Sequence, residues 1–487
     1  MYKVKHAQGV DITRIFCGLN DPRNIIPSIK YALEGGMTPQ ATLCITYSPV
    51  HTVEYYTKLA DQLIEAGAQE ICLKDMAGIG RPYSLGQIVK NIKERHPEII
   101  IQYHGHSGPG LSMASMLEVC EAGCDVLDVA IEPLSWGKVH PDVISVQAML
   151  RNAGFQVKDI NMKAYMQARA LTQEFMDDFL GYFMDSNNKI MSSLLLKCGL
   201  PGGMMGSMMA DLKGVHSGIN MILKSKGKPE VSLDDLLVQL FDEVEYVWPK
   251  LGYPPLVTPF SQYVKNIALM NLLCMAKDEP RFSMLDNNTW GMILGKSGKL
   301  PGELAPEIVE LAKSKGLEFN TADPQSFYPD CLDEFKKKMQ EKNWDLGPDD
   351  EELFEYAMHE RQYEDFKSGV AKQRFEADLQ KAKDAVLAKK GFSEEDIKKA
   401  KRAKAEPIEA TEKGQVFWEV AVEHKSTAPA IGSAFNPEDH FCFITTPWGE
   451  SVPQKANFKG RIVEICAKQG DFVDKGDALA YIQRDAE

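Results

Sequence analysis

No run in the chain approaches the ~20 consecutive apolar residues of a membrane-spanning helix, and the N-terminal MYKVKHAQGV lacks the apolar core of a signal peptide. No cluster of Lys and Arg builds a basic stripe, and the formal net charge of -14 excludes a general binder of nucleic acid or anionic membrane. No pair among the ten cysteines has the CxxC spacing of a metal knuckle. Several of them sit inside apolar runs, which suits small buried hydrophobes in a reducing compartment rather than a disulfide framework. These absences together point to the cytoplasm.

What is present is an ordinary globular composition, 44% apolar and 25% charged, over 487 residues, long enough for two or three domains. The first 150 residues alternate short β-branched apolar runs with longer amphipathic stretches, the signature of repeated βα units. The runs are Asp11 to Gly18, Ala41 to Ser48, Glu70 to Met76, Ile99 to His106 and Val126 to Ile131. Each reads as nearly continuous in hydrophobicity, as expected of parallel strands covered on both faces. Between them lie helix patterns such as VEYYTKLADQLIEAGA and YSLGQIVKNIKERHP, the second ending at Pro97. The pattern predicts an α/β fold and leaves open whether it is a parallel barrel or an open doubly wound sheet.

Residues 151–345 carry helical periodicity, with loop signals at Pro201-Gly202-Gly203, Tyr253-Pro254-Pro255 and Leu300-Pro301-Gly302. Residues 346–415 are rich in Glu, Lys and Ala and read as a charged, solvated helical linker. Residues 416–487 change to short β runs separated by Gly460, Gly470 and Gly476, a small β-barrel pattern. The methionines Met204, Met205, Met208 and Met209 suggest a partner groove, but such a stripe is more often core and is taken as core.

His104 and His106 stand two apart at the end of an expected strand, so both imidazoles project from one face and can share a metal ion. Spacing alone equally admits two hydrogen-bonded histidines. Lys74 ends the preceding strand and opens on the same rim, where α/β barrels place their active sites. It reads either as a salt-bridged rim residue or as a lysine that loses its proton and takes up carbon dioxide, its carbamate then offering an oxygen to a divalent metal.

The segments TRIFCGLNDPRN (13–24), ITYSPVHTVEYYTKLADQLIEAGAQEICLKDMAG (45–78) and HGHSG (104–108) resemble the carboxyltransferase barrel shared by oxaloacetate decarboxylase α subunits, the keto-acid subunit of transcarboxylase, and pyruvate carboxylase. The resemblance runs from about residue 8 to 290. It implies that Lys74, as a carboxylated lysine, binds zinc, cobalt or manganese together with His104 and His106. Related barrels of the 3-hydroxy-3-methylglutaryl-CoA lyase and isopropylmalate synthase group keep the HxH but not the lysine. Residues 151–345 resemble the family's helical funnel domain through GLPGGMMGSMMADLK (199–213) and YPPLVTPFSQYV (253–264). That likeness implies that Thr258 shuttles a proton between pyruvate and biotin, while Ser261 and Gln262 contact the biotin ring. VTPFS also reads as an N-cap with Thr258 before Pro259. The tail resembles half of a biotinyl carrier barrel, but the hairpin that should carry the acceptor lysine reads ITTPWGESV (444–452) and has none. Biotin is therefore expected on a partner carrier protein.

The family usually has an aspartate where this chain has Cys17, and its first three barrel strands, which bring an aspartate ligand and the keto-acid arginines, precede the segment matched here. The expected architecture is thus a partial TIM-type β/α barrel, strands four to eight within residues 1–150, completed by another segment. A helical funnel and a degenerate biotinyl-like β domain follow. The expected assembly is a hetero-oligomer with a dimerised carboxyltransferase core, containing a biotin carrier and a chain supplying the missing strands. The expected activity is metal-dependent carboxyl transfer between carboxybiotin and pyruvate or oxaloacetate, with Lys74 and Thr258 catalytic. The alternative is a structural subunit that keeps the fold without the chemistry.

Overall fold

The computed structural model of the protein describes residues 1–184, 186–200, 204–389, 405–418, 420–422, 425–427, 433–437 and 440–484. The loop signal at Pro201-Gly202-Gly203 and residues 390–404 of the charged linker fall outside the described residues.

The N-terminal region runs α1 (Tyr2–Ala7), β1 (Ile12–Ile15), α2 (Pro22–Glu34), β2 (Thr38–Cys44), α3 (Val53–Glu65), β3 (Glu70–Asp75), α4 (Pro82–Arg95), β4 (Ile100–Gly105), α5 (Ser112–Glu121), β5 (Val126–Leu127) and α6 (Val143–Asn152). The strands form one parallel sheet in the order β1-β2-β3-β4-β5, as right-handed βα succession requires. Local chemistry sets the helix starts. Thr52 caps α3 by accepting from Tyr55 N at 3.1 Å, Asp21 caps α2 by accepting from Arg23 N at 3.0 Å, and Pro82 opens α4 where a missing N–H costs nothing. The α3 face bearing Tyr56, Leu59, Ala60 and Leu63 is buried against the sheet. Each such leucine contributes about 1.5–3 kcal/mol, so Leu63→Asp would unseat the helix.

The strands differ from the expectation of two apolar faces. In β3 and β4 the residues turned to the helices, Ile71, Leu73, Ile101 and Tyr103, are fully buried. The alternate positions, with those of β1 and β2, carry Arg14, Gln40, Glu70, Gln102 and His104, which form a hydrogen-bonded network on the inner face. Gln40 uses both ends of its amide: Oε1 accepts from Arg14 Nε at 2.5 Å, and Nε2 donates to Glu70 Oε2 at 2.6 Å and Gln102 Oε1 at 2.8 Å. A buried amide left unmatched would cost about 1–3 kcal/mol, so the network must be complete to be tolerated. Boundaries also shift. β2 starts at Thr38 and ends at Cys44, leaving Thr46 to Ser48 in the loop above the sheet, and β5 is two residues long because it pairs on one side only.

The chain continues through α7 (Met162–Phe175), α8 (Gly181–Phe183), α9 (Leu195–Cys198), α10 (Met204–Ser225), α11 (Leu233–Lys250) and α12 (Phe260–Lys277). Helices α10 to α12 pack on one another through Met208, Leu212, Leu236, Leu240, Val244, Val264, Ile267 and Leu272, in the same hydrophobic core as the sheet. Met204 and Met208 are buried and Met209 packs against that core, as expected of a core stripe. Buried Glu243 is held by Arg281 Nε at 3.0 Å and Asn271 Nδ2 at 2.8 Å, so its charge is paired.

The described residues divide into two compact units, Met1–Asp178 with Met184–Glu360, and Phe179–Phe183 with Arg361–Glu487. In the second unit a charged helix (Val370–Lys389) precedes two four-stranded sheets. These pack Val416, Cys442, Ile444, Ile462, Leu479 and Ile482 into a separate small core. The hairpin of His440–Thr445 with Ser451–Lys455 turns at Thr446 to Gly449, where Trp448 stands exposed and no amine is present. Among the described residues, no helix is long and apolar enough to cross a membrane.

Candidate metal centre and active site

The C-terminal ends of β3 and β4 place the key side chains. Strand register makes Lys74 the direct neighbour of His104, and Asp75 that of Gly105. Both histidines emerge on the rim with their Nε2 atoms 3.2 Å apart. A tetrahedral ion with metal–nitrogen bonds of about 2.0–2.1 Å holds adjacent ligand atoms about 3.3 Å apart, so this pair has the separation that one ion needs.

The surroundings set the protonation. Asp128 Oδ2 lies 2.6 Å from His104 Nδ1 and 2.8 Å from Arg14 Nη1, and Gln102 donates to the other carboxylate oxygen. Burial would raise the Asp128 pKa, but the hydrogen bonds from His104 and Arg14 outweigh it and hold the carboxyl well below the usual range. An ionised acceptor at Nδ1 fixes the tautomer that leaves Nε2 free to ligate, the usual support of a metal-binding histidine. Burial, then the neighbouring charges of His104, His140 and Lys74, push His106 down to about 3. His106 is therefore neutral, the ligating form. The donor set fits a divalent ion.

His140 joins the cluster from the loop after β5. Its ring lies 4.4 Å from that of His104 and 4.9 Å from that of His106, and the candidate ligand atoms of the three fall within 4.8 Å of one another. The sequence pattern singled out neither His140 nor Arg14 nor Asp128. The available signal was that Arg14 and Asp128 lie at inward positions, on β1 and just past β5, and that His140 follows the last strand.

The other expected residues are placed as follows. Lys74 Nζ sits 5.0 Å above the Phe16 ring, on the rim beyond β1. Thr258 is exposed on the turn before α12. A Cβ on Gly18 would stand 2.7 Å from the Phe260 ring and 3.4 Å from the Thr258 carbonyl oxygen, so a glycine lets the helical region approach the rim there. The N-cap of α12 is Pro259, not Thr258, and makes no side-chain capping bond; the helix starts one residue later than the capping reading requires. Ser261 is fully buried with no hydrogen-bond partner for Oγ, and Gln262 is exposed one residue on. The structure thus brings His104, His106 and Lys74 to one rim and sets Thr258 at its border beside Gly18.

Comparison with known proteins follows the same lines. Residues 226–422 match the family model described as a conserved carboxylase domain, and residues 25–170 match one described as HMGL-like. A pyruvate carboxylase subunit of Methanocaldococcus jannaschii is 30% identical over 98% of this chain and 75% of its own length. The chain belongs to the carboxyltransferase family of biotin-dependent enzymes. The methylmalonyl-CoA carboxyltransferase 5S subunit of Propionibacterium freudenreichii is 31% identical over 72% of this carboxyltransferase chain and 65% of its own. The carboxyl transferase domain of Rhizobium etli pyruvate carboxylase, solved with pyruvate, has the same fold with a TM-score of 0.63 at 23% identity, covering 75% of this chain and 60% of that one.

Proposed function

We propose that this chain transfers a carboxyl group between carboxybiotin and pyruvate or oxaloacetate, at a zinc, cobalt or manganese ion held by His104, His106 and carboxylated Lys74. The observation that carries the reading is the 3.2 Å approach of the two Nε2 atoms on a rim where Lys74 is register-paired to His104. When bound, the ion supplies a Lewis acid for the keto oxygen. Asp128 keeps His104 in its ligating tautomer. Thr258 Oγ1 takes the proton from the methyl carbon of pyruvate and passes it to the biotin ring nitrogen, whose bond to the carboxyl group breaks to release carbon dioxide, and the deprotonated methyl carbon captures that carbon dioxide. Gln262, exposed in the first turn of α12, and its neighbour Ser261, whose Oγ is buried without a partner, are the contacts assigned to the biotin ring. In reverse the same steps decarboxylate oxaloacetate.

The architecture is that of a partial β/α barrel, a helical funnel over its rim and a biotinyl-like tail, with domains at 1–150, 151–345, 346–415 and 416–487. The edge strands β1 and β5 expose Ile12 and Val126, apolar groups that further strands would cover. The partners are therefore a segment completing the barrel and a carrier protein bearing biotin, since the hairpin at Thr446 to Gly449 offers no acceptor amine. Elemental analysis of the purified assembly, with Lys74→Ala and Lys74→Arg beside it, tests the reading. About one divalent ion per chain should be present, and arginine should not restore activity, because it cannot form the carbamate. An assembly that turns over without a transition metal would overturn it.

A further inference from the structure

We infer that His140 is a ligand of the same ion as His104 and His106, so that the rim of this chain presents three imidazoles; the inference rests on the metal-dependent reading above. The placement of the rings and of their hydrogen-bond partners carries it. His104 Nδ1 lies 2.6 Å from the Asp128 carboxylate, which demands the proton at Nδ1. His140 Nδ1 lies 2.9 Å from the carbonyl oxygen of Gly105, an acceptor only, so that nitrogen is also the N–H donor. His106 Nε2 is the atom that faces His104 Nε2, 3.2 Å away.

His104 and His140 thus spend their Nδ1 protons on outer acceptors, which leaves the Nε2 of each as the nitrogen with a lone pair. The Nε2 atoms of His104 and His106 stand 3.2 Å apart, the separation of two ligands of one ion. His140 closes the group, the candidate ligand atoms of the three all lying within 4.8 Å of one another. Three imidazoles, those of His104 and His140 anchored at Nδ1 by a carboxylate and a carbonyl, form a donor set suited to zinc or cobalt. His140 lies on a loop between Trp136 and Pro141 that is tied back by Trp136 N donating to His140 O at 2.8 Å.

The test is X-ray absorption at the metal edge of the cobalt-loaded full chain in its assembly, with metal affinity measured by competition with a chelator. Three imidazole shells are expected for the wild type. His140→Ala should show two, with affinity reduced at least about 100-fold, more than the loss of an outer-shell partner. His140→Gln serves as a second variant that keeps polarity and size without an imidazole, and it should lose the same shell. Two imidazole shells in the wild type with unchanged affinity in both variants would overturn the role of His140 while leaving the metal reading intact. A wild type that binds no ion at all would overturn the metal reading, and this inference with it.

Discussion

The guanidinium of Arg14, on the first strand of the sheet, meets the carboxylate of Asp128, one residue past the fifth, with 2.8 Å between Nη1 and Oδ2. A flat five-stranded sheet would keep these edges far apart, so the contact records how strongly the strands curl around their inner face. The same oxygen receives His104 Nδ1, and the curvature of the sheet is thereby linked to the orientation of the His104 imidazole.

Asp128→Asn should therefore loosen the metal site without touching a ligand. The amide can turn its NH₂ toward Nδ1 and favour the opposite His104 tautomer. Affinity for the divalent ion, measured by competition with a chelator, should fall about 10–100-fold. An unchanged affinity would show that the carboxylate does not govern the imidazole.

Thr258→Ala should reduce carboxyl transfer by about 10²–10⁴-fold while metal content stays at the wild-type level, because the hydroxyl moves a proton and does not ligate. Thr258→Ser, which keeps the hydroxyl, should recover most of the rate. Equal rates for all three proteins would remove the proton shuttle.

How much of this was legible in the sequence depends on which face of a strand is considered. The helix-facing side chains Ile71, Leu73, Ile101 and Tyr103 made the strands visible as apolar runs. The HGH spacing made His104 and His106 visible as a pair on one face. The inward network of Arg14, Gln40, Glu70 and Gln102 was hidden, because polar residues at alternate positions read as interruptions until the curl of the sheet brings them together. His140 was hidden for another reason: it sits on an irregular loop, where no period relates it to the strands. Thr258 stood out through its motif, yet its capping role failed because Pro259 occupies the cap position.

Acid should destabilise the fold through His51, away from the metal centre. Burial pushes its pKa from 6.5 to about 3, and its Nδ1 pairs with Ser48 Oγ at 2.7 Å. The unfolded chain takes up a proton near pH 6.5 and the native state does not. Stability from this group is thus complete above that pH and is lost progressively as pH falls toward 3, by about 1.4 kcal/mol per pH unit. Urea midpoints at pH 7 and pH 4.5 should differ less for His51→Gln than for the wild type. An equal pH dependence in both would contradict the assignment.

Exposed apolar groups on the sheet edges, Ile12 at 50% and Val126 at 41%, make the isolated chain prone to self-association. Expressed by itself it should aggregate or bind metal weakly, and co-expression with a polypeptide that covers these edges should restore both properties. Light scattering and elemental analysis of the two preparations decide the matter. A monodisperse, metal-replete chain prepared by itself would show that the edges need no cover.

Metal-dependent carboxyl transfer is tested most directly by carboxyl exchange between oxaloacetate and a biotinylated carrier, assayed on the wild-type assembly and on His104→Ala, with metal quantified in the same samples. About one divalent ion per wild-type chain is expected, with exchange that stops on chelation and returns when the ion is restored, and neither metal nor exchange in the variant. Undiminished exchange by His104→Ala, or by metal-free wild type, would contradict a metal-dependent transfer at this rim.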